Sequence, residues 1–231
     1  MDRSPPPLVW LFDVDGTLVR TEGAGREALE LAFRDLCGIE GALDGVALAG
    51  RTDTLILADV LARHGRALSD GERERFWSAT GAHLGRLLAG TRGHVLPGVR
   101  ELLDAIAAEP AHVRGLLTGN MPPFARIKLA AFGLFEHFAF GTYASDGPDR
   151  NAMARVAVTR AAERWGAPPS RCVVVGDTEL DIECARAAGA HAVAVATGGR
   201  TRAQLAPHAP DLLLDDLGDA RALLDWARAL R

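Results

Sequence analysis

The stretch Leu8-Val9-Trp10-Leu11-Phe12-Asp13-Val14-Asp15-Gly16-Thr17 decides the fold. Its first five residues form a continuous apolar run of strand length, typical of a strand buried on both faces of a sheet. Two carboxylates follow the run, and anions this close repel unless a cation, a proton or water lies between them. In parallel α/β sheets, ligands bind at the carboxyl ends of the strands. The stretch therefore predicts a metal-assisted carboxylate nucleophile with an acid/base partner; the alternative is a polar Asp-Gly turn.

Two later apolar runs also end in polar residues. Leu116-Leu117-Thr118-Gly119-Asn120 predicts a strand that ends in threonine. Val173-Val174-Val175-Gly176-Asp177 predicts a strand that ends in aspartate, and Asp181 follows it. In this order, and together with D-x-D-G-T, the segments resemble the motifs of the haloacid dehalogenase superfamily, mostly Mg²⁺-dependent phosphatases. The chain is similar to the phosphoglycolate phosphatases of that superfamily, and the resemblance spans nearly all of it.

The third motif of the family is a lysine or an arginine that lies between the second and fourth motifs. The Lys-Pro pair of many phosphoglycolate phosphatases is absent, and Gly147-Pro148-Asp149-Arg150-Asn151 offers Arg150 instead. Lys128, the only lysine of the chain, is the alternative cation. Its helical surroundings favour a surface position away from the strand ends, so we expect Lys128→Ala to be nearly silent.

The resemblance implies roles for the two carboxylates of the first motif. Asp13 is the expected nucleophile, which forms an aspartyl-phosphate, and Asp15 the acid/base that protonates the leaving alcohol and then deprotonates water. Dehalogenases of the family lack the second aspartate, so Asp15 favours phosphoryl chemistry. A turn-capping carboxylate is the alternative for Asp15.

The resemblance also implies a Mg²⁺ cofactor. Its expected ligands are carboxylate oxygens of Asp13 and Asp177 and the backbone carbonyl of Asp15, because Mg²⁺ prefers a few carboxylates together with water and phosphate oxygens. Asp181 could bind a metal-held water or hold the loop. It could equally be a helix N-terminal carboxylate favoured by the dipole, and the sequence leaves both interpretations open.

Phosphate binding is expected from the second and third motifs. Thr118 would donate its hydroxyl to a phosphate oxygen, with the backbone N–H of Gly119 or Asn120 beside it. Arg150 would neutralise charge on the phosphate and on Asp13. The alternatives are an ordinary turn threonine and a solvated loop arginine.

The order of apolar patterns predicts an α/β fold. Strands are expected at 113–117, 138–142, 172–175, 192–196 and 211–214. Helices are expected at 97–108, 122–132, 152–165, 180–188, from 201, and at 219–230. Repeated strand–helix units predict a doubly wound parallel-sheet (Rossmann-like) core with right-handed crossovers.

The segment from 21 to 92 shows helical periodicity without a strand run, notably at 28–36, 55–61 and 76–88. We interpret it as a small all-helical cap domain inserted after the first strand. The core would comprise 1–20 and 93–231. Within the cap, Arg51 precedes an apolar helix for which Thr52 or Asp53 is the expected N-cap, and Arg51 could reach the leaving group of the substrate.

The composition and charge of the chain limit the classes of partner that it is expected to bind. The chain has 231 residues, 48% of them hydrophobic and 24% charged, with a net charge of −4, as is ordinary for a globular protein. Scattered arginines do not favour nucleic-acid binding, and no apolar stretch is long enough to cross a membrane. Cys37, Cys172 and Cys184 make no close pair, and Pro5-Pro6-Pro7 stands where a signal peptide would have an apolar core. Both observations favour the cytoplasm; the oligomeric state is left open.

The predicted function is hydrolysis of a small phosphate monoester. One alternative is a phosphomutase (similar to β-phosphoglucomutase) of the same superfamily, since it would share all four motifs. A second is a non-enzymatic protein that binds a phospholigand on the same fold.

Overall fold

The structure, a computed structural model, describes residues 5–90 and 92–230, and a six-stranded parallel sheet forms its centre. The strand order is β5-β4-β1-β6-β7-β8. A separate ribbon is formed by β2 (Val19–Arg20) and β3 (His94–Val95), which pair antiparallel. The sheet strands are β1 Leu8–Phe12, β4 His112–Leu117, β5 Phe140–Thr142, β6 Cys172–Gly176, β7 His191–Val195 and β8 Leu212–Leu214.

The first strand lies between β4 and β6, and all five of its residues are buried. After β1 the sheet grows outward through β4 and β5, and then on the other side through β6, β7 and β8. The connections therefore diverge on either side of β1, and a crevice opens at the carboxyl ends of the strands where they diverge.

Helices cover both faces of the sheet, because successive side chains of β1 point to opposite faces. Leu8, Trp10 and Phe12 pack in one hydrophobic cluster with helices from 99–107 and 220–228, whereas Val9 and Leu11 pack in another with helices from 150–165 and 179–187. The helices of this part are α4 Val99–Ala107, α5 Pro122–Ala131, α6 Arg150–Trp165, α7 Glu179–Ala187, α8 Arg202–Leu205 and α9 Ala220–Arg228.

Three helices lie between β2 and β3: α1 Ala24–Cys37, α2 Asp53–Arg63 and α3 Asp70–Leu88. They bury a hydrophobic cluster of their own, centred on Phe33 and Phe76, whose rings are 4.7 Å apart. A smaller cluster packs α1 and α3 against Phe124 of α5. The helical insertion thus has its own apolar interior and rests on the α/β part through α5.

The predicted α/β fold class is confirmed, and the predicted strands and helices of the α/β part are found with ends shifted by about two residues, the usual scatter of such boundaries. In the insertion, α1 and α3 begin at Ala24 and Asp70, well before the predicted stretches 28–36 and 76–88. The ribbon of β2 and β3 was not predicted, because two-residue strands carry no periodic signal. The division into core and cap stays a prediction. Residues 1–4, 91 and 231 of its ranges lie outside the described residues. Within the described part of the chain, no helix is both long enough and apolar enough to cross a membrane.

Candidate active site

The carboxyl ends of β1, β4 and β6 bring the predicted site residues together. A cavity of about 350 Å³ opens there. It is lined by Asp13, Asp15, Gly119, Asn120, Arg150 and Asp177, and from the helical insertion by Arg51. Thr118 and Asp181 contact the lining residues Asn120 and Arg150, respectively, and are fully or almost fully buried.

Asp13, Asp177 and Asp181 form a buried cluster. Each can offer a carboxylate oxygen, and these oxygens lie within 4.8 Å of one another. Burial raises the pKa of Asp13 to about 6; nearby Asp181 and Asp15 add to the shift, and Arg150 opposes it. Burial likewise raises the pKa of Asp177 to about 8, with Asp181 and Asp13 contributing. Such a set of hard oxygen donors, costly to ionise on its own, fits a divalent cation.

The turn after β1 brings the backbone close to Asp177. Gly16 has φ +81°, and a Cβ at this position would lie 2.7 Å from Asp177 Oδ2, so glycine is required here on both counts. The hydroxyl of Thr17 donates to Asp177 Oδ1 at 3.3 Å. The first motif therefore packs directly against the fourth.

Arg150 is the first residue of α6 and is only 6% exposed, so the solvated-loop alternative is wrong. Its Nη1 lies 3.5 Å from Asp13 Oδ1, and its Nη2 donates to Asp181 Oδ1. Burial alone would lower the pKa of Arg150, but the carboxylates of Asp181 and Asp13 raise it above its ordinary value. Arg150 is therefore a permanent cation beside the expected nucleophile.

Asp181 holds the start of its helix, as one of the two interpretations expected, whereas its contact with a metal-held water stays a prediction. Its Oδ2 accepts from the Thr178 hydroxyl at 2.6 Å and from the Thr178 backbone N–H at 3.0 Å, which completes a capping box at the start of α7. Its other oxygen faces Arg150 and the acidic cluster. The residue thus caps its helix and supports the site at once.

The structure contradicts the expected surface position of Lys128. Lys128 is 6% exposed, and its Nζ lies 2.6 Å from Asp15 Oδ2 and 2.6 Å from Asn120 Oδ1. Its helix, α5, is covered by α1 and α3, so the side chain of Lys128 points into the site and not into solvent. The site therefore has two buried cations: Arg150 near Asp13, and Lys128 near Asp15.

The loop after β4 joins the site to the helical insertion. Thr118 Oγ1 accepts from the Asn120 side-chain amide at 2.8 Å, and the same amide donates to Asp15 Oδ2 at 2.8 Å. A Cβ on Gly119 would lie 2.2 Å from the Arg51 carbonyl oxygen, so only glycine allows this approach. Asn120 thus binds Asp15 directly, Thr118 is linked to Asp15 through Asn120, and Gly119 lies against the insertion.

Thr52 is the N-cap of α2, since its hydroxyl accepts from the Leu55 backbone N–H at 3.2 Å. Arg51 lines the cavity, and its Nη2 lies 2.5 Å from Asp59 Oδ2. Asp53 has a role that the sequence did not predict. Its backbone N–H donates to the Gly119 carbonyl at 2.8 Å, and its carboxylate accepts from the Met121 N–H at 2.7 Å.

Burial raises the pKa of Asp53 to about 6, against the opposing effects of Lys128 and the Met121 N–H. Asp53 therefore fastens the start of α2 to the loop after β4. The polar run Gly50-Arg51-Thr52-Asp53 carried a signal for this residue, but capping by either Thr52 or Asp53 explained the run equally well.

Comparisons with known proteins agree on one family. The model of the haloacid dehalogenase-like hydrolase family matches residues 9–189. Phosphoglycolate phosphatase of Rhodospirillum rubrum is 28% identical over 232 residues, covering 95% of this chain and 90% of that protein. Phosphoglycolate phosphatase of Nitrosococcus oceani is 26% identical over 136 residues, which span 59% of this chain and 60% of that protein.

Among solved structures, CbbY of Rhodobacter sphaeroides, crystallised with xylulose-(1,5)bisphosphate, superposes with a TM-score of 0.74. The match covers 92% of this chain and 96% of that one at 20% sequence identity. At this identity the likeness establishes the fold.

Proposed function

This chain belongs to the haloacid dehalogenase-like hydrolase family, and on that premise we propose that it hydrolyses a small, phosphoglycolate-like phosphate monoester through an aspartyl-phosphate on Asp13. The chain is a phosphoric monoester hydrolase, like the phosphatases to which it is similar. One observation carries the proposal: the buried Asp13 lies close to both the Arg150 cation and the Asp177 carboxylate, and it lines a cavity that Asp15 also lines.

The reaction has two steps. An Asp13 carboxylate oxygen attacks phosphorus, the bond to the leaving oxygen breaks, and Asp15 gives its proton to the departing alkoxide. Asp15 then takes a proton from water, whose oxygen attacks the aspartyl-phosphate and releases inorganic phosphate. Asp15 suits both steps because its side chain is 42% exposed, within reach of a leaving group and of water.

The cofactor in this proposal is Mg²⁺. Asp13 and Asp177 would hold it through carboxylate oxygens and Asp15 through its backbone carbonyl, with Asp181 behind them as a support or through a water. Two carboxylates together with water and phosphate oxygens match the preference of this ion. When bound, Mg²⁺ neutralises charge on the transferring phosphoryl group.

Phosphate oxygens would be bound by the Thr118 hydroxyl, by the backbone N–H of Gly119 or Asn120, and by Arg150. A guanidinium beside the nucleophile stabilises charge that grows in the transition state and does more than bind the ground state. Arg150 lines the cavity beside Asp13, so a phosphate bound there would lie next to its positive charge.

We assign substrate selection to 21–92 as a cap domain. Its residues close one side of the cavity, with Arg51 as the proposed contact to the leaving group and Leu29, Ile56 and Leu84 as apolar lining. Cap side chains that touch the leaving group set specificity through differential transition-state contacts. We also propose a cytoplasmic location, because Cys37, Cys172 and Cys184 are free and buried.

The test is a panel of phosphate monoesters offered to the purified protein with Mg²⁺, with phosphoglycolate first because relatives carry that activity in their names. We expect release of free phosphate from at least one small ester. A phosphorylated isomer in place of free phosphate would identify a mutase. No turnover of any ester, with the fold intact and Mg²⁺ present, would favour a phospholigand-binding protein and refute the proposal.

A further inference from the structure

Lys128 is the only lysine among the 26 lysine and arginine residues of the chain, and it is buried in the site. Burying an ammonium group costs hydration free energy unless protein partners replace the water. Surface lysines of a helix avoid that cost by remaining solvated. The position of Lys128 therefore needs an explanation beyond the packing of α5.

The partners of Lys128 belong to the site. Of its three N–H donors, one lies 2.6 Å from Asp15 Oδ2 and another 2.6 Å from Asn120 Oδ1. The side-chain amide of Asn120 donates to the same Asp15 Oδ2 at 2.8 Å. Both hydrogen bonds to Asp15 end on Oδ2, so the carboxylate is held by one oxygen and Oδ1 is not engaged by this pair.

The helical insertion covers the ammonium group of Lys128 on its other side. A Cβ on Gly25 of α1 would lie 3.2 Å from Lys128 Nζ, so the backbone of α1 passes directly over the ammonium group. Ala28 and Leu84 pack against α5 in the same region. Removing the ammonium group of Lys128 from water strengthens its attraction to Asp15, because charges interact more strongly in a medium of low dielectric. The Asp15 side chain itself remains 42% exposed.

We propose that Lys128 is a positioning residue. Its ammonium group binds Oδ2 of Asp15 and so holds Oδ1 toward the leaving oxygen and, later, toward the attacking water. The inference rests on the proposed function, in which Asp15 transfers these protons. The two buried cations then have different roles. Arg150 serves the nucleophile Asp13, and Lys128 serves the acid/base Asp15.

Leaving-group dependence tests this proposal. A p-nitrophenolate departs with little need of a proton, whereas an alkoxide needs one, so kcat/KM for an alkyl ester depends on Asp15 far more than kcat/KM for p-nitrophenyl phosphate. General acid catalysis contributes on the order of 10²–10⁴-fold. We expect Lys128→Met to lower kcat/KM for the best alkyl ester of the panel by about 100-fold, and for p-nitrophenyl phosphate by less than about tenfold.

Three comparisons complete the experiment. Arg126→Met removes an exposed cation from the same helix and should leave kcat/KM unchanged for both substrates. Lys128→Arg keeps the charge and should recover part of the alkyl-ester activity. Asp15→Asn should show the same bias toward the aryl ester as Lys128→Met.

A second readout does not use activity. Protein labelled with ¹⁵N-lysine contains one lysine side chain, so its ammonium group gives a single signal. Asp15→Asn should shift that signal, and Arg126→Met should not. An unshifted signal in folded Asp15→Asn would show that the contact does not exist and would overturn the proposal.

The kinetic outcomes are equally decisive. Equal losses on both esters in Lys128→Met would indicate a merely structural lysine and overturn the proposal. A rise in KM confined to esters that carry a carboxylate would make Lys128 a substrate ligand and also overturn it. If Asp15→Asn shows the bias and Lys128→Met does not, this inference alone fails; if neither shows it, the role of Asp15 in the proposed function fails as well.

Discussion

Replacing Arg150 by alanine should impair both catalysis and stability. The guanidinium is 6% exposed and is shared between Asp13, 3.5 Å away, and Asp181. Loss of one preorganised donor aimed at developing charge typically costs about 10²–10³ in kcat. Breaking a buried ion pair by removing one partner costs about 3–5 kcal/mol of the free energy of unfolding. Arg150→Lys should recover part of the activity, because the charge is kept while the planar fork is lost.

The stability deficit should depend on pH in a defined direction. In the folded metal-free protein the pKa is about 6 for Asp13 and about 8 for Asp177, against an ordinary value of 3.8. A raised carboxyl pKa means that the folded state binds the proton more tightly, so stability is highest at low pH and is lost as pH rises from about 4 through the folded pKa. Arg150 lowers both values. The gap between Arg150→Ala and the unmodified protein should therefore be wider at pH 8 than at pH 5.

The assays are steady-state phosphate release with Mg²⁺ and thermal unfolding without metal at the two pH values. Arg160→Ala is the matched control, since Arg160 lies on the same helix, pairs with Asp146 at 2.6 Å and has a side chain 37% exposed. A solvent-exposed ion pair is worth about 0–1 kcal/mol. Arg160 also donates to the Gly141 carbonyl and the Thr142 hydroxyl, but it lies outside the cavity lining, so kcat of Arg160→Ala should stay normal. A folded Arg150→Ala protein with nearly normal kcat, or an equally impaired Arg160→Ala protein, would refute the reasoning.

Further predictions concern the nucleophile, the metal and the core. Asp13→Asn should abolish turnover while circular dichroism stays native; residual activity near the normal level would rule out Asp13 as nucleophile. Chelation should stop activity and Mg²⁺ restore it, and Asp177→Ala should weaken Mg²⁺ affinity sharply; full activity in excess chelator would contradict this. Binding of Mg²⁺ should tighten as pH rises from about 6 to about 8, because the Asp177 carboxyl, with its pKa near 8, must lose its proton; calorimetry in two buffers would measure the proton released. Trp10→Ala should cost about 3–5 kcal/mol of unfolding free energy, since the indole is fully buried in β1; a loss below about 1 kcal/mol in denaturant unfolding would contradict that.

The sequence by itself determined the elements and the chemistry of the strand ends. Continuous apolar runs such as 8–12 and 173–175 mark strands buried on both faces, and helical spacing marks 28–36 and 152–165, because these periods are local properties of the chain. The carboxylates after β1 and β6 could be placed at one edge from the sequence, since parallel strands all end on the same side of the sheet.

Tertiary structure decided which long side chains face the site. A lysine at helical spacing is expected to be solvated, and nothing near Lys128 in the sequence says that α1 and α3 cover its helix or that Asp15 lies across from it. Asp53 is a similar case, because its partner Met121 is distant in sequence and meets it only when the insertion rests on the loop after β4.

Arg150 lies between these two cases. Its residue type and its place between the second and fourth motifs suggested the third-motif cation, but Lys128 was an equally charged rival. Only the packing of α6 and α5 separated them, bringing the guanidinium to Asp13 and the ammonium to Asp15. Local sequence sets the period and the end of each element, whereas the direction of a flexible charged side chain depends on which distant element removes it from water.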